Sequence, residues 1–133
     1  MLTEKDYCDK DLSATLMEMG FRGFGLFYYE KDSSKLKAIH QILTARTAKA
    51  LGHTLAVSLY EAQKWLREEK NIIVEVFVDD DSDTPITYNI YKDGECVCHH
   101  HGKYWSVKEW SEALSEGIKE AVKILKEDET IHE

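Results

Sequence analysis

The segment from Ser106 to Lys126 constrains the fold more than any other part of the sequence. Its apolar residues recur every three or four positions, which is the spacing of an amphipathic α-helix with a single apolar face. Ser106 and Glu109 have capping-box spacing, in which each side chain accepts a hydrogen bond from the other residue's backbone N–H. Such a helix must bury its apolar face, so the rest of the chain has to supply a sheet or a second helix. The apolar positions are Val107, Trp110, Ala113, Leu114, Ile118, Ala121, Val122 and Leu125.

A second, shorter helix is predicted from Ser58 to near Asn71, because Ser58 and Glu61 repeat the capping-box spacing. Three segments with the composition of strands lie between the two helices, at residues 72–78, 86–91 and 95–100. Asp93-Gly94 tolerates the positive φ angles of a two-residue hairpin loop. We therefore predict an α+β fold in which residues 58–126 have the order α-β-β-β-α, with an antiparallel sheet that carries both helices on one face.

The N-terminal third is predicted to add one helix and one or two strands, which can extend the same sheet, within a single domain spanning residues 1–133. Asp9 or Asp11 is placed to cap a helix that runs to Met19, and Gly20 has the position just past a helix end. Residues 23–29 have the composition of a strand. Residues 36–51 suit a strand followed by a loop or helical turn, which we favour, or a helix, because their apolar residues fit both periods.

Composition narrows the class of protein. With 43% apolar and 32% charged residues the chain is typical of globular proteins, and its net charge of −8 disfavours a phosphate-binding surface. The same charge is compatible with a protein partner that carries a basic patch. No apolar run is long enough to span a membrane, and the three cysteines do not form a disulfide framework, so we expect a cytoplasmic location.

The run from Cys96 to His101 is the strongest candidate for metal chemistry. On a strand Cys96, Cys98 and His100 would share one face, and thiolate and imidazole ligands suit zinc or copper. The spacing is not that of a zinc finger, so we favour a cysteine-containing strand followed by a polar histidine loop, with zinc as the alternative cofactor. The acidic run 79–83 lacks the glycine and the distant glutamate of a calcium loop, so it predicts a solvated turn.

No motif for nucleophilic catalysis or phosphate binding is present in the sequence. Neither a G-x-S-x-G elbow nor a Walker loop occurs, and both capping glutamates are explained by their helices. We therefore predict a protein that is not an enzyme.

Three further motifs stand out: the Lys-Trp-Leu-Arg-Glu run at 64–68, the Lys-Asp-Gly turn at 92–94, and the Glu-Ala-Leu-x-x-Gly-Ile-x-Glu-Ala helix at 112–121. Together they resemble a group of small uncharacterised proteins carried by phages and mobile elements of gut anaerobes. The segment DLSATLMEMGF also looks like the opening helix of that group. The resemblance implies a mobile-element setting and no assigned activity.

These observations lead to one preferred function and two alternatives. The preferred function is a non-enzymatic protein-interaction module of a phage or mobile element, such as an anti-CRISPR-like inhibitor of a host defence system. The first alternative is metal binding by Cys96, Cys98 and His100. The second is a double-stranded-RNA-binding module, because that domain has the same α-β-β-β-α order. Its family holds phosphates with a basic cluster at the last helix, where this chain has a mixed set: Lys103, Lys108, Glu109 and Glu112.

Overall fold

The computed structural model describes residues 2–99 and 103–132. The chain forms two compact units, residues 1–62 and 63–133. In chain order the helices and strands are α1 (Lys10–Glu18), β1 (Phe24–Tyr29), β2 (Leu36–Thr44), α2 (Ala45–Ala50), β3 (Thr54–Leu55), α3 (Leu59–Lys70), β4 (Ile72–Val78), β5 (Ile86–Lys92), β6 (Glu95–His99) and α4 (Trp110–His132). Short 3₁₀ turns occupy Glu4–Asp6 and Val107–Glu109. The α+β class is confirmed.

The first unit contains an antiparallel sheet with the strand order β2-β1-β3. Leu43, Ala48 and Leu55 form a buried cluster against it. The register between β1 and β2 breaks between Gly25 and Phe27, which is a bulge. The prediction that the N-terminal strands extend the C-terminal sheet is wrong, because these strands pair with one another in a separate sheet. One of them, Thr54–Leu55, is too short to produce a period in the sequence.

Buried polar contacts fix the start of the chain within the first unit. The Tyr29 hydroxyl donates a hydrogen bond of 2.7 Å to the backbone C=O of Cys8, and Tyr29 is only 4% exposed. The fully buried Ser13 hydroxyl donates to the same C=O and accepts from the N–H of Val57. Because buried carbonyls are costly to leave unpaired, these bonds fix residues 8–13 in place.

The second unit is built on an antiparallel meander with the order β4-β5-β6. Helix α4 packs on β4 and β5. Gly117 makes this packing close, because a Cβ atom there would lie 2.5 Å from Cγ1 of Val74. A glycine is therefore needed inside this helix because the side chains of Val74 and Tyr88 in the sheet lie too close to leave room for a Cβ atom.

The structure confirms most of the elements predicted from local patterns. The α-β-β-β-α order runs from α3 to α4, and the Ser106–Glu109 capping box is formed. Asp93 and Gly94 have φ angles of 52° and 84°, as a two-residue hairpin loop requires. Residues 36–51 form a strand and then a short helix, as favoured above. A single domain over 1–133 stays a prediction.

Candidate functional site

Cys96 and Cys98 lie on the edge strand β6, and both are half-buried cysteines that are not in a disulfide. A bulge at Val97 places them opposite adjacent residues of β5, Tyr91 and Ile90. The Cys96 thiol donates a weak hydrogen bond to the backbone C=O of Cys98. Burial, together with the carboxylate of Glu120, raises the pKa of Cys98. A metal ion would have to displace a firmly held proton to bind that sulfur, since the thiolate is the ligand.

His100, the third predicted ligand, lies outside the described residues. Within residues 2–99 and 103–132, no three His, Cys, Asp or Glu side chains are grouped closely enough to hold a metal ion. Zinc binding by Cys96, Cys98 and His100 therefore stays a prediction.

The acidic residues between β4 and β5 form an exposed turn. Asp80 accepts the backbone N–H of Ser82 at 2.8 Å, and hydrogen bonds from Ser82 hold the pKa of the Asp80 carboxyl below its ordinary value. The Tyr104 hydroxyl donates to Asp79 at 3.0 Å. The turn therefore presents the exposed side chains of Asp80, Asp81 and Asp83 to solvent.

The start of α4 has mixed charge, which bears on the RNA-binding alternative. The Glu109 carboxylate accepts the backbone N–H of Ser106 at 2.9 Å as part of the capping box. A shallow cavity of about 370 Å³ beside it is lined by two lysines and two glutamates, together with Trp105 and Ser115. These charged residues are Lys103, Lys119, Glu112 and Glu116. Phosphates are bound by concentrated positive charge, so the balance at this helix start disfavours RNA.

The excess of negative over positive charge lies in one of the two units of the chain. Residues 1–62 contain eight Lys or Arg and eight Asp or Glu, whereas residues 63–133 contain nine and seventeen. The net charge of −8 therefore belongs to the second unit alone. The first unit has no net charge.

The first unit also contains a cavity of about 710 Å³ that the sequence patterns did not reveal. It is bounded by the end of α1, the following connection, the start of α2 and the residues that lead into β3. Three cationic side chains line it, Arg22, Arg46 and Lys49, and Glu18 is the acidic residue of the described lining. A charge count of residues 1–62 gives no excess of cations, so only the fold, which brings residues 22 and 46 together, reveals this group.

His53 lines the same cavity and has an unusual environment. Its ring packs on Tyr28 with the centroids 4.6 Å apart. Its Nδ1 atom is buried and has no hydrogen-bond partner among the described residues. Buried polar atoms of this kind are uncommon in folded proteins.

Comparison of the chain with family models, with curated proteins and with solved structures found no match. The resemblance to phage and mobile-element proteins therefore depends on the motifs quoted above and stays a prediction. No helix in the described ranges is both long and apolar enough to cross a membrane.

Proposed function

We propose that the chain is a non-enzymatic protein-interaction module of a phage or mobile element, and that it binds a host or phage protein through the acidic second unit. The observation that supports this proposal best is the charge distribution. A compact unit with seventeen acidic and nine basic residues favours partners with a basic surface. Proteins that handle nucleic acids carry such surfaces, so an anti-CRISPR-like inhibitor of a defence system is the concrete form of the proposal.

The turn between β4 and β5 is the part of this surface that we expect to contact the partner. Asp80, Asp81 and Asp83 are exposed, and the hydrogen bond from Ser82 orders the turn before any partner arrives. A preordered turn loses less conformational entropy on binding than a flexible one. Exposed carboxylates also accelerate encounter with a basic partner, and this effect weakens as salt rises.

The test is affinity capture from host lysate with the wild-type chain and two charge variants. The first variant carries Asp80→Asn, Asp81→Asn and Asp83→Asn. The matched control carries Glu4→Gln, Asp11→Asn and Asp32→Asn, which removes three exposed acids from the neutral unit. Each lost surface contact weakens binding by about 0.5 kcal/mol, so the turn variant is expected to bind roughly 10-fold more weakly. The control is expected to bind like the wild type.

Three results are informative. A stoichiometric protein partner that the turn variant loses and the control retains supports the proposal. Recovery of RNA instead supports the double-stranded-RNA-binding alternative, which the acidic second unit disfavours. Failure to recover any specific partner contradicts the proposal.

A further inference from the structure

We propose that the cavity in residues 14–55 binds a small organic anion, meaning a carboxylate or phosphate group attached to an aromatic or aliphatic body. This inference is independent of the interaction proposed for the second unit, because the lining residues that the structure describes all belong to the first unit. A volume of about 710 Å³ is within the range of roughly 300–1,000 Å³ that small-molecule sites occupy.

The backbone around the cavity is held by two helix C-caps of the same kind. After α1, Gly20 has a φ of 105° and the N–H of Phe21 donates to the C=O of Leu16 at 2.9 Å. After α2, Gly52 has a φ of 77° and the N–H of His53 donates to the C=O of Ala48 at 2.8 Å. Both are Schellman motifs, which fix the direction of the chain beyond the helix. Arg22 and His53 therefore extend from ordered backbone, and a preformed site of this kind favours ligand binding.

The wall of the cavity supplies an apolar surface for the body of the ligand. Phe21 and Leu55 are buried, at 7% and 2% exposure, and Met17 is packed against the same core. Phe24 also lines the cavity, although 67% of it is exposed. An aromatic side chain with this exposure loses contact with water when a ligand covers it, which stabilises the complex.

The cationic residues supply the complement to a negatively charged group. Arg22, Arg46 and Lys49 come from two separate segments, and their side chains have no hydrogen-bond or ion-pair partner in the part of the chain that is described. Glu18 also has no hydrogen-bond or ion-pair partner among the described residues. With three cationic residues and one acidic residue, the described lining has an excess of two positive charges. The arginine guanidinium matches carboxylate and phosphate in geometry, and a phosphate monoester carries close to two negative charges at neutral pH. An anion in the cavity would therefore balance this excess.

His53 contributes its ring to the lining. Its Nδ1 atom is closed to solvent, so the ring offers a ligand a packing surface rather than this nitrogen. The combination of an apolar wall and three cations without a partner in the described residues is what distinguishes this cavity from a solvated groove.

The test is a titration of the intact chain followed by amide NMR shifts, with four probes. Phenyl phosphate and benzoate carry both features of the ligand, and they distinguish a preference for phosphate from one for carboxylate. Phenol has the apolar body without the charge, and inorganic phosphate has the charge without the body. We expect saturable shifts in residues 14–55 with phenyl phosphate, with benzoate or with both. Phenol and inorganic phosphate should bind at least about 10-fold more weakly, because each lacks one set of contacts.

Charge variants make the test specific to the cavity. Arg46→Gln with Lys49→Gln removes two lining cations at exposed positions of α2, where glutamine preserves helix propensity. We expect this variant to bind the better anion about 10-fold more weakly, because a lost charge-assisted hydrogen bond has about that effect. Arg22→Gln tests the other segment and should also weaken binding. The matched control is Lys31→Gln with Lys35→Gln, which removes two exposed lysines of the same unit outside the cavity and should bind like the wild type.

The proposal is overturned if neither anion binds saturably, if inorganic phosphate binds as well as phenyl phosphate, or if the shifts map to residues 63–133. Equal losses in the cavity variant and the matched control would also overturn it, because binding would then follow total charge rather than this site.

Discussion

Replacing Gly117 by alanine tests the close packing of α4 on the second sheet. The new Cβ atom would lie 2.5 Å from Cγ1 of Val74 and 3.3 Å from Cγ of Tyr88. Two effects oppose each other. Alanine increases helix propensity by about 1 kcal/mol, while overpacking a buried site lowers stability by about 1–3 kcal/mol. Because 2.5 Å is far below a normal carbon–carbon contact, the cost should fall at the upper end of that range. We expect Gly117→Ala to lower the free energy of unfolding by about 2 kcal/mol.

Urea unfolding monitored by circular dichroism measures this effect, and a second background isolates its cause. Val74→Ala removes the methyl group that the new Cβ would meet. In the Val74→Ala background, Gly117→Ala should leave the free energy of unfolding unchanged or raise it by up to about 1 kcal/mol. Compared with the loss of about 2 kcal/mol in the wild-type background, this corresponds to a coupling energy of about 2–3 kcal/mol between the two substitutions. Lys123→Ala, at an exposed position of the same helix, serves as a control and should change stability by less than about 0.5 kcal/mol. Equal effects of Gly117→Ala in both backgrounds would refute the packing argument.

Three further predictions concern hydrogen bonding, backbone conformation and thiol chemistry. Burial is the main cause, and nearby Cys8 a smaller one, of the rise in the pKa of Tyr29 from 10.0 to about 12. Since this pKa is higher in the folded state, the stability linked to the protonated hydroxyl is present below pH 10. It is lost as the pH rises toward 12. Tyr29→Phe should cost about 0.5–1.5 kcal/mol at neutral pH, because the Cys8 C=O loses this donor but keeps the one from Ser13, and it should weaken the alkaline loss of stability. Urea unfolding from neutral to alkaline pH measures both effects, and unchanged stability would contradict the assigned bond. Gly94→Ala should lower the thermal midpoint, with a cost of about 1–2 kcal/mol, because φ at this position is 84°, and a midpoint equal to that of the wild type would contradict the hairpin geometry. Cys98 should be alkylated more slowly than a cysteine in an unfolded peptide at mildly alkaline pH, because burial raises its pKa. Untagged protein prepared without nickel should contain little zinc. One zinc per chain that is lost on Cys98→Ser would instead establish the metal-binding alternative.

Elements with a local signal in the sequence were predictable. Ser106 and Glu109 mark the start of the last helix because a capping box involves residues only three positions apart. Asp93-Gly94 marks the hairpin because positive φ is restricted to a few residue types. Gly20 marks the end of α1 for the same reason. In each case the physical cause lies within one turn of chain, so periodicity and residue type are sufficient.

Features that depend on pairing over long distances were not predictable. Strand β3 consists of Thr54 and Leu55, and only its hydrogen bonds to β1 make it a strand. The bulge at Val97 changes which residues of β5 lie opposite the two cysteines. No sequence pattern in the run from Cys96 to His99 predicts this bulge. Local patterns did not reveal the cavity either, because its cations come from segments more than twenty residues apart and carry no motif.

The interrupted register between β1 and β2 has a consequence for how the chain behaves in concentrated solution. Strand β2 is an edge strand, and its residues from Ile39 to Ile42 carry no acidic or basic side chain apart from His40. An uncharged, regular edge of this length would be a template on which strands from other copies could add, leading to fibrils. Here Ala38 to Leu43 of β2 is opposed by only Gly25 to Phe27 of β1, so the edge is bent out of a flat ladder. We therefore expect this irregularity to disfavour the addition of strands from other copies along the β2 edge.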